Sequence, residues 1–523
     1  MFYDEPSNLL VYDRPELAEV EGAIRLDGSY VAFPATLTSL QRLHKLGQEV
    51  PAPLEHAYDW PGPADEPPFE AQKVTANFMV LNPHSCCFND TGTGKTRAAL
   101  WAADYLMRLH EAVGKRLRGL IVCPKSCMDT VWEDEIFKVF WSRRTASITH
   151  GTAAKRKKML AADVDFYIVN FAGLDVKAFT DELALRDDIQ IVIVDEASAY
   201  RHANTPRHRH ARTVLGSRDY LWPMTATPCS NGPTDAYGIA KLVNNAGGES
   251  FRSFQERVTF SAGPWKRVPK VGAHEDALKL MSPAIRFAIS DCLDLPECTV
   301  QRREVELSPE QKHAYERLRL DAQLAMKDGS LVSAANQAVL RMKLIQIVCG
   351  AVYDGEHRVH EIDVSPRLKV LREVIESCAE KVIVFAPLTS VVEMLHAKFK
   401  SDYACAVVNG ATSTSNRKDV FAGFQHGDKP RIIFADPGTM AHGLTLTAAT
   451  VVVWYGPTDK TELYLQGNKR IHRPGQVNTT TIVQLASTPV EHEIYRRLQA
   501  NETMLGAILK LVEDKRHDAG GRG

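Results

Sequence analysis

Eight consecutive residues in the first fifth of the chain have the composition and spacing of a phosphate-binding loop. They read Asn89-Asp90-Thr91-Gly92-Thr93-Gly94-Lys95-Thr96. A short apolar stretch, residues 85–88, precedes them and helix-forming residues follow, so the order is strand, glycine-rich turn, helix. In that order, backbone N–H groups and the positive end of the helix face bound phosphates. The sequence therefore predicts a nucleoside triphosphate site lined by residues 91–96.

Two side chains of this loop have expected roles in the chemistry. Lys95 would reach the β- and γ-phosphates, and Thr96 would ligate Mg²⁺. Asn89 departs from the general pattern, which begins with glycine. By itself the pattern also fits a chance sequence in a surface loop, so the rest of the chain has to decide between the two interpretations.

A pair of carboxylates follows an apolar run further along the chain. Residues 191–194 are all Ile or Val, and Asp195 and Glu196 come directly after them. In this arrangement Asp195 holds the Mg²⁺ shell, while Glu196 orients and deprotonates the attacking water. A strand that ends in a solvated acidic turn gives the same pattern, but the phosphate-binding loop upstream favours the catalytic interpretation.

Two arginines near the C-terminus are spaced for joint action. Arg470 and Arg473 are three residues apart, so on a helix they share one face. Two guanidinium groups on one face could reach a γ-phosphate that is held elsewhere, and such an arginine finger changes a rate by about 10³–10⁵. A merely solvated basic helix face is the alternative.

The composition is that of a globular protein with no overall attraction to polyanions. Hydrophobic residues make up 44% and charged residues 24%, and the formal net charge is −1. Any nucleic-acid binding must therefore come from local patches. No apolar run approaches the roughly 20 residues of a membrane span, and the first residues do not resemble a secretory signal. The ten cysteines include no Cys-x-x-Cys pair, which favours a reducing cytoplasm over disulfides or structural zinc.

Apolar β-branched runs mark two separate α/β regions. Runs of this kind alternate with helical stretches between about residues 70 and 240. The same alternation is found again between residues 381 and 454. Short runs without polar alternation are typical of buried parallel strands. The predicted strands are residues 119–123, 166–169, 191–194, 220–224, 381–385, 404–408, 431–434 and 450–454.

These patterns predict an α/β protein with two parallel-sheet lobes. The predicted units are an accessory module with a proline-rich linker (1–65), a first lobe (66–243), a helical insertion and lobe connection (244–360), a second lobe (361–511) and a flexible tail (512–523). In the accessory module, residues 23–34 predict a hairpin that turns at Asp27-Gly28, and Thr36 caps an amphipathic helix up to Leu46. The module is therefore expected to be a small α+β unit.

In their order and their residues, the motifs resemble those of superfamily 2 helicase-like ATPases. Within that superfamily they resemble Swi/Snf-like DNA translocases of the compact bacteriophage and bacterial type. The resemblance runs from about Phe69 to Lys510. Its most specific signal is Arg470-Ile471-His472-Arg473-Pro474-Gly475-Gln476, supported by the acidic box at residues 195–198 and the coupling motif at residues 224–228. The resemblance implies two RecA-like lobes that use ATP and Mg²⁺ and couple hydrolysis to movement along DNA.

The resemblance also implies roles that the patterns alone do not assign. The residues that it places at the nucleotide are Gln72, which would read the adenine edge, Gly443 and Gln466. The residues that it places at nucleic acid are Lys125, Ser126, Thr225, Thr227, Thr412, Ser413 and Thr445. Such backbone contacts position a protein without reading sequence, so binding should be largely sequence-independent and salt-sensitive. A basic run at residues 155–158 fits either a solvated helix face or a phosphate track.

Two residues depart from the family pattern. Ser198 stands where the acidic box usually has histidine, so the coupling between hydrolysis and movement could be tuned differently. Thr445 stands where the fifth motif usually has asparagine. Neither change removes a phosphate or magnesium ligand, and we therefore expect an active ATPase.

The expected function is a DNA-dependent ATPase that translocates on or remodels duplex, forked or branched DNA. We expect a monomer that works in the cytoplasm of a bacterium or of a phage-infected cell. One alternative is an RNA-directed helicase, against which the Arg-x-x-Arg-x-Gly-Gln ending argues. The other is an ATP-gated nucleic-acid-binding scaffold with little turnover, against which the intact Lys95, Asp195 and Glu196 argue.

Overall fold

A sheet of four short antiparallel strands begins the chain and packs against one helix. The structure, a computed structural model, describes residues 1–55, 58–263, 267–327, 334–353, 358–440 and 445–520. The elements of this module are β1 (Phe2–Asp4), β2 (Leu9–Asp13), β3 (Ile24–Arg25), β4 (Tyr30–Pro34) and α1 (Leu37–Lys45), with the strand order β1-β2-β4-β3. Ile24 pairs with Ala32 across the predicted hairpin, which confirms both the turn and the α+β module.

The start of α1 depends on one threonine. The Thr36 hydroxyl accepts a hydrogen bond from the Ser39 backbone N–H at 3.3 Å. Replacing Thr36 with alanine leaves that N–H without its cap, so the module should lose about 1 kcal/mol of stability, measured by hydrogen exchange of the α1 amides. Thr38→Ala, an exposed change inside the same helix, should stay within about 0.5 kcal/mol of the wild type. An equal effect of both changes would contradict the cap.

The proline-rich segment that was predicted as a linker, residues 51–68, is packed against the first lobe. The Tyr58 hydroxyl donates to Asp104 at 2.7 Å, and the indole N–H of Trp101 donates to the Pro61 carbonyl at 2.8 Å. The Trp60 and Trp101 rings meet edge to face with centroids 5.3 Å apart. The segment is thereby held along a helix of the first lobe and leads to the site described below.

The first lobe is a seven-stranded parallel sheet with helices on both faces. Its elements are α2 (Glu70–Leu81), β5 (Cys86–Cys87), α3 (Lys95–Glu111), β6 (Arg118–Cys123), α4 (Asp134–Phe140), β7 (Ala146–Ile148), α5 (Ala153–Leu160), β8 (Phe166–Asn170), α6 (Lys177–Ala184), β9 (Ile189–Asp195), α7 (Pro206–Leu215), β10 (Tyr220–Met224) and α8 (Ala236–Val243). Every strand predicted here from its apolar run is present. Side chains of β9 alternate between the faces: Ile191 and Ile193 pack on one side, and Val192 and Val194 on the other.

Between the lobes lies a mainly helical segment that also lends strands to both sheets. Its elements are α9 (Phe251–Val258), β11 (Thr259–Ser261), β12 (Arg267–Pro269), α10 (Ala273–Met281), β13 (Ala284–Ile285), β14 (Cys298–Glu304), α11 (Pro309–Lys327), α12 (Ala334–Cys349), β15 (Ala351–Tyr353) and β16 (Val359–Glu361). Strand β13 joins the first sheet beside β5, and β14 joins the second sheet. Neither strand was predicted from the sequence, because β13 has only two residues and β14 is a largely exposed, charged edge strand.

The second lobe is a six-stranded parallel sheet. Its further elements are α13 (Ser365–Ser377), β17 (Lys381–Phe385), α14 (Thr389–Phe399), β18 (Cys405–Val408), α15 (Thr414–His426), β19 (Ile432–Ala435), β20 (Ala449–Trp454), α16 (Thr461–Asn468), β21 (Thr480–Ala486) and α17 (Pro489–Gly520), and the strand order is β14-β21-β20-β17-β19-β18. The four strands predicted for this lobe are present, and β21 is an additional one. The two-lobed α/β prediction is thus confirmed. Across the described ranges, no helix is long and apolar enough to cross a membrane.

The sheet order places the motifs of the first lobe side by side. In the first sheet, β10 lies between β5 and β9, so the phosphate-binding loop after β5 and Asp195 at the end of β9 are two strands apart. Neighbouring strands are about 4.8 Å apart, and parallel strands bring their carboxyl ends to one edge of the sheet. The loop and the acidic residues therefore meet at that edge.

Candidate active site

A cavity of about 580 Å³ lies where the two lobes meet, at the carboxyl edge of the first sheet. Its lining combines the proline-rich segment, the phosphate-binding loop, the acidic strand end and the two arginines of the second lobe. The sequence-predicted residues that line it are Gln72, Thr91, Gly92, Gly94, Lys95, Thr96, Asp195, Glu196, Arg470 and Arg473. Residues up to 408 positions apart in sequence, from Asp65 to Arg473, are thus gathered around one space.

The phosphate-binding loop depends on glycine at two positions. Gly92 and Gly94 have φ angles of 92° and 76°, in the left-handed region that side chains disfavour. A Cβ on Gly94 would lie 1.8 Å from the amide nitrogen of Gln72, so Gln72 packs directly on the loop. The Lys95 ammonium donates to the carbonyls of Asn89 and Asp90 at 3.0 and 3.1 Å, which holds it inside the loop.

The two carboxylates at the end of β9 have different surroundings. Asp195 accepts hydrogen bonds from the Trp132 indole at 3.1 Å and from the Glu196 backbone at 3.0 Å, which orient its carboxylate. Glu196 has a φ of 51°, an uncommon conformation for a residue with a side chain. Burial, then Asp195 and Glu462, raise the pKa of Glu196 to about 8. A carboxyl group with a pKa near neutrality is suited to exchange a proton with water.

The two arginines carry positive charge into the same cavity. Burial, followed by the proximity of Arg473, lowers the pKa of Arg470 to about 9. Burial also lowers the pKa of Arg473. Two adjacent guanidinium groups that line one cavity with Lys95 favour an anionic ligand, because an anion would offset their mutual repulsion.

These residues fit a nucleoside triphosphate with its magnesium ion. The Thr91 hydroxyl is buried in the loop and bonds to no protein group that the structure describes, so a phosphate oxygen could accept its hydrogen. Lys95 and the loop backbone would hold the phosphates, and Thr96 and Asp195 would ligate the metal. Bound there, Mg²⁺ would supply charge neutralisation at the β- and γ-phosphates.

Two of the described residues that were predicted at the nucleotide, Thr93 and Gln466, do not line the cavity. The Thr93 hydroxyl donates to the Asp90 carbonyl at 2.8 Å beneath the loop, where it stabilises the turn. Gln466 is buried on α16, away from the lining. Gly443 lies outside the described residues.

The cavity also includes residues that the sequence analysis did not predict. Asp65, Glu66 and Phe69 reach it from the proline-rich segment. Arg97 of α3 pairs with Glu66 and with Glu135, each at 2.7 Å, which fixes that segment beside the loop. No local signal identifies these residues, since acidic residues among prolines are also typical of solvated linkers.

The predicted nucleic-acid contacts fall into two groups, of which the first is exposed. Lys125 and Ser126 follow β6, Thr412 and Ser413 precede α15, and Thr445 follows the undescribed residues 441–444; all of them are at least partly exposed. Lys418 of α15 forms an ion pair at 3.1 Å with Asp129, three residues after Ser126. The predicted contact segments of the two lobes therefore lie close together.

Two members of the basic run at residues 155–158 lie near the first of these segments. Burial lowers the pKa of His150, and so do the nearby charges of Lys125, Arg156 and Lys155. The run therefore adds positive charge beside Lys125. Arg156 itself is buried and donates to the Thr149 carbonyl at 2.7 Å, so it is a structural residue of this loop.

The second group, Thr225 and Thr227, is buried. Their side chains are 1% and 3% exposed, and their hydroxyl groups lie 3.4 Å from each other. The Thr225 backbone N–H donates to the Cys87 carbonyl at 3.0 Å, which holds this turn inside the sheet edge. Contrary to the expectation, the structure does not place either threonine on a surface open to a nucleic acid.

The fold and the site together define a class of proteins. One parallel-sheet lobe supplies the phosphate-binding loop and the acidic strand end, the other supplies paired arginines, and the cavity lies between them, as in helicase-like nucleoside triphosphatases. The family model described as the SNF2-related domain matches residues 71–350, and the helicase conserved C-terminal domain matches residues 366–475. The chain belongs to the SNF2-related helicase family.

Individual relatives are distant but cover most of the chain. An uncharacterized ATP-dependent helicase of Mycoplasma genitalium is 22% identical over 437 residues, which are 82% of this chain and 40% of that protein. A SWI/SNF-related, actin-dependent regulator of chromatin of Xenopus tropicalis is 24% identical over 84% of this chain and 44% of its own length. A protein of Acyrthosiphon pisum secondary endosymbiont phage 1 is 23% identical over 76% of this chain and 87% of its own. The chain thus spans less than half the length of the first two relatives.

Among solved structures, one match is to the SWI2/SNF2 ATPase core of Sulfolobus solfataricus in complex with dsDNA. It is 19% identical in sequence and has a TM-score of 0.41, with 87% of this chain and 96% of that chain covered.

Proposed function

We propose that this protein is a DNA-stimulated ATPase that uses hydrolysis to translocate on, or remodel, duplex or branched DNA. The observation that carries the proposal is the cavity between the lobes, in which Lys95 and Glu196 of the first lobe face the same space as Arg470 of the second. A site assembled from two lobes is complete only in one arrangement of them. Turnover is then coupled to lobe movement, which is what a motor requires.

The position of the predicted DNA-contact segments supports this coupling. Lys125 with Ser126 in one lobe, and Thr412 with Ser413 in the other, are neighbours through the Asp129–Lys418 ion pair. If a nucleic-acid backbone were bound along both segments, a change in the distance between the lobes would displace its contacts with one segment relative to those with the other. Contacts of lysine and hydroxyl groups with phosphates imply binding that is largely independent of sequence and weakens with salt.

The names of two relatives agree with this activity. One, of Mycoplasma genitalium, is named as an ATP-dependent helicase, and another, of Bacillus subtilis, is named as an ATP-dependent helicase/translocase. We extend the ATP-dependent reaction to this chain because its phosphate-binding loop, acidic residues and arginines line one cavity. We further propose that the protein acts as a monomer in a bacterial or phage-infected cytoplasm.

The test is steady-state ATP hydrolysis without nucleic acid and with single-stranded DNA, duplex DNA, forked DNA or RNA. We expect stimulation by duplex or forked DNA and none in Lys95→Ala. Lys115→Ala, an exposed lysine of the same lobe, should behave as the wild type. Stimulation by RNA alone would favour an RNA-directed helicase instead. Tight DNA binding without turnover on any substrate would favour an ATP-gated scaffold.

A further inference from the structure

Helix α16 of the second lobe is tied to the first lobe near both of its ends. Near its start, Glu462 contacts Ser198 and Arg201, and just after its end, Lys469 contacts Asp90. Glu462 and Lys469 are seven residues apart, so at 1.5 Å per residue the two contacts are separated by about 10 Å along the helix. We refer to these five residues as the α16 clasp.

The contact at the start of α16 uses both oxygens of one carboxylate. The Ser198 hydroxyl donates to one Glu462 oxygen at 2.6 Å, and the Arg201 guanidinium donates to the other at 2.8 Å. Ser198 is 2% exposed, and the Glu462 side chain is 17% exposed. Charge-assisted bonds in such partly buried surroundings are stronger than those on an open surface.

Ser198 is also the acidic-box residue that stands where the family usually has histidine. Its short side chain allows the Glu462 carboxylate of the other lobe to approach within 2.6 Å of its hydroxyl. The position that departs from the family pattern is therefore the position that receives the second lobe.

The contact at the end of α16 is made to the phosphate-binding loop itself. The Lys469 ammonium lies 2.6 Å from one oxygen of Asp90, and the other oxygen is held by Arg286 at 3.1 Å. Although burial opposes it, these two cations keep the pKa of Asp90 well below its usual range. Pro474 packs against the same loop, since a Cβ on Gly92 would lie 2.7 Å from its ring.

The helix between the two contacts is well anchored in its own lobe. Tyr464 and Leu465 are buried in the core of the second lobe, and the Trp454 indole donates to Asn468 at 2.8 Å. Arg470 follows Lys469 directly in the chain. Any displacement of α16 relative to the first lobe must therefore move Arg470 relative to the phosphate-binding loop.

We propose that Glu462 and Lys469 are positioning residues for hydrolysis, which hold α16 against the acidic box and the phosphate-binding loop and so set the location of Arg470 and Arg473 in the cavity. This inference rests on the proposed ATPase function. Neither side chain lines the cavity, and the role proposed for both is to hold the arginines there. Loss of the clasp should lower kcat more than it changes KM for ATP, because Gln72 and the phosphate-binding loop remain in the first lobe.

The experiment uses the full-length chain and the variants Glu462→Gln, Lys469→Met and the double variant. Each single change should lower kcat about tenfold or more, since small displacements of catalytic groups cost up to about 10²-fold, while KM changes less than about twofold. In the double variant, the fold-decrease in kcat should be much smaller than the product of the two single decreases, because both residues hold one helix. Lys469→Arg, which keeps the charge, should recover most of the rate.

A second readout does not depend on activity. Without nucleotide, the amides of residues 461–473 should exchange hydrogen about tenfold faster in Glu462→Gln than in the wild type. Glu493→Gln is the matched control, because Glu493 is an exposed residue of the same lobe that pairs only with Arg496 among its described partners. It should change neither the rate nor the exchange.

The outcomes separate this inference from the proposed function. A wild-type chain without ATP turnover would defeat the proposed function, while the exchange measurement would still decide whether the clasp holds α16. Unchanged exchange in Glu462→Gln would overturn the clasp, whatever the rate. Faster exchange with an unchanged kcat would overturn the positioning role, and so would a change in KM as large as that in kcat.

Discussion

Replacing Arg470 with alanine is expected to lower kcat for ATP hydrolysis by about 10³-fold or more, the range typical of arginine fingers. Arg470 is 4% exposed, lines the cavity and has its carbonyl fixed by the Leu446 N–H at 3.0 Å. This bond fixes the backbone of Arg470 beside the cavity, so its buried guanidinium can stabilise charge that develops on the transferred phosphoryl group. Affinity for ADP, measured by equilibrium titration, should change little, because ADP lacks the γ-phosphate.

Three further variants make this result specific. Arg473→Ala should lower kcat in the same way, since Arg473 lines the same cavity. Arg470→Lys should not restore the rate, because a single ammonium cannot reproduce the planar fork of the guanidinium. Arg496→Ala, at an exposed position on α17, should match the wild type. If Arg470→Ala retained a wild-type kcat, the arginines would be structural and the two-lobe site would lose its main support.

Replacing Glu491 with alanine is expected to destabilise the second lobe by about 3–5 kcal/mol. Arg367 of α13 and Glu491 of α17 form an ion pair at 2.6 Å, and their side chains are 1% and 0% exposed. The Glu491 carboxylate also accepts from the Ser487 N–H at 2.8 Å, and Arg367 lies over the Tyr455 ring. Removing the carboxylate leaves the guanidinium buried without its counter-charge, which is the costly case for a buried pair.

Native-state hydrogen exchange of the β20 and β21 amides is the appropriate measurement, because a two-lobed chain need not unfold in one step. Asp402→Ala is the matched control. Asp402 pairs at 2.7 Å with Arg372, which lies in α13 like Arg367, but both side chains are exposed. In this variant the β20 and β21 amides should exchange hydrogen at the wild-type rate. Glu491→Gln keeps an acceptor for the Ser487 N–H and should recover part of the loss. A Glu491→Ala effect no larger than that of Asp402→Ala would contradict the importance of the buried pair.

Much of the fold could be predicted because its signals are local. Apolar runs such as residues 191–194 predict buried parallel strands directly. Thr36 predicts the start of a helix because its own side chain caps it. Strands without such a signal were missed. Strand β14 is largely exposed and ends in Gln301-Arg302-Arg303-Glu304, so its sequence pattern is typical of a solvated segment and does not predict a strand. Its place at the edge of the second sheet depends on β21, which comes about 180 residues later in the chain.

Most residues predicted at the nucleotide line one cavity, whereas two of those predicted at nucleic acid are buried. A phosphate-binding loop is a continuous segment whose glycines are required by its own backbone angles, as Gly92 and Gly94 show. Contacts with a polymer depend instead on which residues a turn exposes. Thr225 and Thr227 have side chains suited to phosphate contact, but the turn after β10 directs both into the protein.

The two α/β lobes, the phosphate-binding loop and the carboxylates at the end of β9 follow from local sequence, because each depends on neighbouring residues. How the lobes meet depends instead on contacts between residues far apart in the chain. Ser198 and Glu462 are 264 positions apart, and Asp90 and Lys469 are 379 apart, and no periodicity links such residues. Polar contacts of this kind form only when two separately folded lobes bring the partner groups together, so the arrangement that completes the site is a property of the folded chain.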